Sequence, residues 1–209
     1  MTIGDVVVVD QIWWYTSRAA GIVAWVLLSA SVIAGMSIST RDSRRLPTGW
    51  SIDLHRFLST LSLVFLAVHV AALVPDNFVT FGWAELLVPL ASTWRPWAVA
   101  LGVVAMWMVV AVELTSVIRR RLPVRMWRAV HLLSFFVWLC STLHLFLAGT
   151  DVGSFAFRVV QVVVIAAVSF LFVRRLRVAR RRRRISSGGG VSLPVEEPVD
   201  VDEVYAGER

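Results

Sequence analysis

The sequence contains no lysine, a single cysteine and only four histidines in 209 residues. The lone cysteine, Cys140, lies inside an apolar run, so the chain can build neither an intramolecular disulfide nor a thiolate cluster for zinc or iron–sulfur. All 21 basic residues are arginine, a composition that fits the coding bias of a GC-rich genome better than any demand of function. No Gly-rich fingerprint opens a helix after a strand-like run, which excludes a dinucleotide fold within these residues. No nucleophile constellation is visible, and the arginines follow a membrane pattern instead of forming a binding face, so a nucleic-acid partner is excluded. What is abundant is apolar surface: 57% of residues are hydrophobic and the mean hydropathy is +0.73. Soluble domains carry roughly 45–50%.

The apolar residues gather into runs long enough to cross a bilayer, and the expected fold is an all-α membrane protein with five transmembrane helices and room for a sixth. Residues 1–18 read as an external N-terminal segment ending in the aromatic belt Trp13, Trp14 and Tyr15. The first helix is expected over about Ala19–Ile38. The second runs from about His55 to Val74 and stops at Pro75-Asp76-Asn77. Residues 78–95, broken by Gly82, Glu85 and Pro89, read as an interfacial or re-entrant segment, a short sixth span being the alternative. Helices follow at about Trp97–Ile118, Trp127–Ala148 and Phe155–Val173, so the bundle occupies 19–173. Eight arginines then fall between Arg174 and Arg184, a stop-transfer cluster that also suits contact with anionic lipid. Residues 185–209 carry six acidic residues and almost no aromatic content, and are expected to be disordered.

Arginine asymmetry sets the expected topology. Arg41, Arg44, Arg45 and Arg56 lie in or beside the first connection, Arg119, Arg120, Arg121, Arg125 and Arg128 in or beside the third, and the long cluster at the end. The opposite side has only Arg18, Arg95 and Arg158. The N-terminus is therefore expected outside and the C-terminus in the cytoplasm.

Against this topology the histidines form a pattern. His55 and His69 are 14 residues apart on the second helix, and His131 and His144 are 13 apart on the fourth. At about 1.5 Å per residue these spacings span roughly 21 and 19.5 Å, most of a hydrocarbon thickness of about 30 Å. The two helices run the same way, so His55 and His131 share the inner level and His69 and His144 the outer. An intramembrane histidine is costly without a partner, and a six-coordinate haem needs two axial ligands from opposite sides. One feature strains the match. At about 100° per residue, His55 and His69 are about 40° apart around their helix, but His131 and His144 about 140°. A helix crossing, a local change of winding, or ligation from two sides of the fourth helix has to absorb the difference.

The stretches HRFLSTLSLVFLAVH and WRAVHLLSFFVWLCSTLH, separated by a single helix, resemble the ferric reductase-like transmembrane domain family. The resemblance covers roughly Trp13 to Phe172. It implies two b-type haems, with His55 and His131 ligating the inner and His69 and His144 the outer, that carry electrons across the membrane. It also implies an oxidoreductase component that works with a separate redox partner, a flavoprotein or quinol, because flavin and nicotinamide domains like those of larger relatives find no room in the tail. A bacterial plasma membrane is the expected location. The family usually has six helices, and the first is the one missing here.

Other residues carry weaker expectations. Arg95 and Arg158 lie at the outer level, where guanidinium groups can pair with haem propionates. Arg56 and Arg128 adjoin the inner level and read equally well as topology anchors. Trp138 and Phe65 lie midway between the histidines of their helices. Glu113 is an acid within the third helix, and Asp151 closes the fourth. Two alternatives remain open at this stage: a quinol-oxidising membrane cytochrome b, and a haem-free transporter or scaffold with structural histidines. The first needs small residues where haems press on the helices, and neither histidine helix has a glycine between its ligands.

Overall fold

The computed structural model describes residues 3–40, 48–76, 79, 81–149 and 154–188. The arginines of the first connection, Asp151 and the tail from residue 189 lie outside the described residues, as does most of the segment expected to be disordered. Among the described residues all regular structure is helical: α1 (Ile3–Thr40), α2 (Thr48–Leu73), α3 (Trp83–Leu87), α4 (Pro96–Val117), α5 (Val124–Leu132), α6 (Ser134–Ala148) and α7 (Phe155–Gly188), with one 3₁₀ turn at Arg119–Arg121. Five stretches are long and apolar enough to cross a membrane: Gln11–Ser39, Gly49–Leu73, Pro96–Val117, Val124–Ala148 and Phe155–Arg180. Phe57 and Phe170 are more than 60% exposed. Aromatic side chains turned outward from a bundle in this way suit lipid and not water.

Three elements depart from the sequence reading. The first helix begins at Ile3 and not near Ala19, because the VVVV stretch and the aromatic belt continue the helix with no breaker between them. The last helix runs on through the arginines to Gly188, arginine being a good helix former. Residues 78–95 do not add a span: α3 has five residues, about 7.5 Å of rise, and the chain on either side of it is irregular. α3 lies against α4, with the Trp107 indole donating to the Leu87 carbonyl at 2.9 Å. Pro96 opens α4, and Arg95 before it adopts the left-handed region at φ 42°. From there the Arg95 guanidinium donates to the Leu147 carbonyl in the last turn of α6, where helix carbonyls lack intrahelical donors.

Of the three alternatives for the fourth span, a local change of winding is present. The helix is interrupted at Leu133, two residues after His131. The Leu133 N–H bonds the Val130 carbonyl three residues back at 2.9 Å, and the four-residue pattern resumes with Val137 to Leu133 at 2.8 Å. A 3₁₀ turn rotates the chain further per residue than an α turn. That is the sense needed to bring His131 and His144 toward one face.

Contacts between side chains fix the helix directions. Ser17 meets His69 and Ser31 meets His55, so α1 and α2 are antiparallel. α6 is antiparallel to α1 as well, through a closed ring of hydrogen bonds at mid-depth. The Trp25 indole donates to Thr142 at 2.9 Å, Thr142 to the Trp138 carbonyl at 2.7 Å, the Trp138 indole to Ser29 at 3.0 Å, and Ser29 back to the Trp25 carbonyl at 2.8 Å. Each helix supplies one tryptophan and, four residues on, one hydroxyl, and every polar group in the ring is satisfied without water. Beside it, Val32 and Met36 of α1 and Val168 of α7 form a core that packs on Phe135 and Trp138.

Side-chain hydrogen bonds inside membrane proteins average about 0.6 kcal/mol and reach about 1.7. Trp25→Phe and Trp138→Phe are each expected to cost about 1 kcal/mol, lowering the melting midpoint in detergent by a few degrees. Because both bonds belong to one ring, the double variant should cost measurably less than the sum; strict additivity in circular-dichroism melts would show two independent bonds.

Candidate functional site

All four histidines point into the bundle between helices, and they meet in the pairs that their depths suggest. The His55 and His131 ring centroids are 6.1 Å apart at an interplanar angle of 79°, and those of His69 and His144 are 6.3 Å apart at 77°. Two imidazoles on opposite sides of one metal, at metal–nitrogen distances of about 2.0 Å, place their centroids about 6.3 Å apart. Both gaps have the width of a bridging metal centre. Among the described residues no three His, Cys, Asp or Glu side chains converge, so each level offers two protein ligands and not a cage for a bare ion.

The rings are aimed by the helices opposite them. His69 Nδ1 donates to the Ser17 carbonyl at 2.7 Å, His55 Nδ1 to the Ser31 carbonyl at 2.9 Å and His144 Nδ1 to the Ala98 carbonyl at 2.7 Å. A carbonyl only accepts, so these three bonds put the proton on Nδ1 and leave the Nε2 lone pair free to ligate. The serines reciprocate, the Ser17 hydroxyl donating to the His69 carbonyl at 3.3 Å and the Ser31 hydroxyl to that of His55 at 3.5 Å.

Four residues beyond each accepting carbonyl is a glycine on which the ring rests. A Cβ at Gly21 would stand 2.8 Å from His69 Nδ1, and one at Gly102 would stand 2.8 Å from His144 Nδ1 and Cε1. At Gly35 the corresponding distance to His55 Cε1 is 3.3 Å. Any side chain at Gly21 or Gly102 would push the imidazole off its acceptor. On α1 the arrangement occurs twice, as SRAAG at 17–21 and SVIAG at 31–35, 14 residues apart and matching the histidines of α2.

His69 and His144 look into an open-mouthed cavity of about 1420 Å³, mouth included, that Gly21, Gly102, Arg18 and Glu85 also line. Phe81 and Trp94 stand edge to face at its rim, 6.4 Å apart. Its walls are mostly apolar, and it is lined by both rings of this level. The donor set fits haem: two imidazoles at each level, three of the four oriented by backbone carbonyls, with the outer pair facing a mostly apolar cavity.

The remaining expectations distribute unevenly. Arg95 is engaged with Leu147 and is not part of the cavity wall; Arg158 is exposed on α7. Arg18, whose guanidinium also lies 5.5 Å from the Trp14 ring centroid, is the cation that reaches the cavity. Arg56 is exposed, 3.9 Å from an equally exposed Asp53, and Arg128 is exposed too. Trp138 belongs to the mid-depth ring, Phe65 is half-buried on α2, and Glu113 contacts the Ser59 hydroxyl. The glycine seats and their carbonyls escaped the sequence reading, which searched the histidine helices for small residues instead of the helices facing them. The signal available was the repeated serine-to-glycine pattern of α1.

No curated protein and no solved structure matches this chain. A family model does, that of the ferric reductase like transmembrane component, over residues 20–142. That range holds Gly21, the Ser31–Gly35 and Ala98–Gly102 seats, the whole of α2 and His131; it begins three residues after Ser17 and ends two residues before His144. With five spans and more than half of its length inside the match, the chain is an integral membrane protein that belongs to the ferric reductase like transmembrane component family, a membrane electron-transfer component.

Proposed function

We propose that the protein is a di-haem b-type cytochrome that carries electrons across the membrane, with His55 and His131 holding the inner haem and His69 and His144 the outer. The observation that carries this reading is the pair of ring separations, 6.1 and 6.3 Å, at two depths of one bundle. Bound haem supplies a one-electron couple whose potential the protein tunes. The chain's own residues do the rest. Two imidazoles at each level would hold the haem iron between them, which would leave no open site for oxygen at the metal. Carbonyls of Ser17, Ser31 and Ala98 hold three rings in the ligating tautomer, and the apolar walls exclude water. Trp25 and Trp138 pack the space between the levels.

Arginine asymmetry supports a cytoplasmic C-terminus and an external N-terminus, in a bacterial plasma membrane. Of the outer arginines, Arg18 is the one we assign to the acidic edge of the outer haem. A separate partner, a flavoprotein or membrane quinol, exchanges electrons with the inner level.

Visible spectra and haem-to-protein ratios of the purified protein test the reading. Wild type is expected to bind about two low-spin haems per chain, and His69→Ala or His131→Ala about one each. Purified protein without haem, after expression with ample haem supply, would overturn it.

A second set separates ligation from folding. Gly21→Val and Gly102→Val should each remove the outer haem and spare the inner. Gly49→Val, at a position with nothing within 4 Å of an added Cβ, should keep both. Equal haem loss in all three would mean that the bundle, not the seat, had been damaged.

A further inference from the structure

The two histidine pairs are not seated alike. At the His69–His144 level both rings donate Nδ1–H to a backbone carbonyl, each at 2.7 Å. At the His55–His131 level only His55 does so, at 2.9 Å. His131 Nδ1 is buried and has no hydrogen-bond partner among the described residues.

The register of α4 explains the difference. Its seat for His144 is the Ala98 carbonyl with Gly102. Fourteen residues further along, at the depth of His131, the corresponding positions are Val112 and Ser116. Val112 is buried, so this face of α4 still turns inward. The glycine, however, has become a serine, and the carbonyl is taken: the Ser116 hydroxyl donates to it at 2.7 Å, and the Thr115 hydroxyl, whose shorter bond is to the Ala111 carbonyl at 2.7 Å, crowds it at 3.1 Å. His131 stacks instead on Trp127, centroids 5.1 Å apart at 24°. Cations gather around that stack. Arg119 lies over the Trp127 ring at 6.0 Å, and Arg175 of α7 lies over Phe135 at 5.3 Å.

We propose that this unequal seating polarises the chain, so that the His55–His131 site holds an electron more tightly than the His69–His144 site. The inference rests on the di-haem reading above. An imidazole that donates its Nδ1–H to a carbonyl is a more basic ligand and favours the oxidised, more positive metal. The His69–His144 site has two such ligands and the other has one. Guanidinium groups near a redox centre favour the form with one more electron: Arg119 and Arg175, with the carboxyl of Glu113, stand on the His55–His131 side against Arg18 and the carboxyl of Glu85 on the other, so the balance of charge favours the His55–His131 site. Enclosure works the other way, since a site that excludes water disfavours the more charged oxidised form. It acts over the whole surface of the group, whereas the bonding difference acts at the ligating rings themselves, and charge and bonding push in the same direction. One electron leaving the His69–His144 iron oxidises it from ferrous to ferric and reduces the other from ferric to ferrous. No bond forms or breaks and no proton moves.

Anaerobic potentiometric titration of the full chain, followed by visible spectra, tests the proposal. Wild type should resolve two midpoints. The haem that survives in His69→Ala should titrate at the higher one and the haem that survives in His131→Ala at the lower. The Arg119→Gln/Arg175→Gln double variant should lower the higher midpoint and leave the other in place. Thr115→Val/Ser116→Gly, which frees the Val112 carbonyl for His131, should also lower the higher midpoint and narrow the gap. The arginine and seat variants change no haem ligand, so they decide the matter even if the histidine variants fail to fold. A single shared midpoint, the reverse order, or both of these double variants leaving the higher midpoint unmoved would overturn this proposal and leave the di-haem reading standing. Protein without haem would overturn the di-haem reading itself.

Discussion

The structure depends on a bond between a histidine ring and the backbone of a neighbouring helix. A free imidazole in the bilayer interior has two nitrogens to satisfy, two tautomers and a freely turning ring. Donation of Nδ1–H to the carbonyls of Ser17, Ser31 and Ala98 removes these freedoms together. Helix carbonyls in mid-helix already accept an intrahelical bond, so the ring can reach one only by lying flat against the helix surface. That requirement puts glycine one turn further on, and glycine in turn lets α1 approach α2 and α4 approach α6 closely. Packing of small residues is what draws helices together in lipid, where apolar burial offers no net drive. The ligand geometry and the helix packing therefore arise from the same contacts.

Between the two levels, the ring of Trp25, Ser29, Trp138 and Thr142 performs a similar service for α1 and α6. Both indoles find acceptors, both hydroxyls close back on their own helix, and the large aromatic surfaces fill the space that separates the levels. The interruption at Leu133 belongs to the same design. It lets one span present His131 and His144 to two partners that a regular helix of that spacing would not face together.

Much of this was legible in the sequence. Hydropathy gave five spans, because each long apolar run crosses once and no soluble core competes for the assignment. Nearly equal spacings, 14 and 13 residues, gave the histidine levels, since depth along a helix depends only on residue count. What spacing could not give was rotation: the break at Leu133 lies in Leu132-Leu133-Ser134, with neither proline nor glycine to mark it. The carbonyl seats stayed hidden for a related reason. Serine, alanine and glycine are ordinary small residues of transmembrane helices, and which of them faces a histidine depends on how neighbouring helices are turned. The ends of α1 and α7 were read too short because valine, tryptophan and arginine at an interface signal a boundary of the membrane, not of the helix.

The repeat on α1 has a further consequence. A single rigid helix carries both SxxAG seats, so the distance between the two histidine levels is written into one uninterrupted element as a residue count. Inserting one residue between Gly21 and Gly35 would swing one seat by about 100° out of its slot while lifting it only about 1.5 Å. Counts that return a seat to nearly the same face are few: 11, 14 and 18 residues, or about 16.5, 21 and 27 Å. Separation between the two histidine levels can thus change over evolutionary time only in jumps of about a turn. α1 serves as a graduated rule, and the bundle can be recalibrated only at its marks.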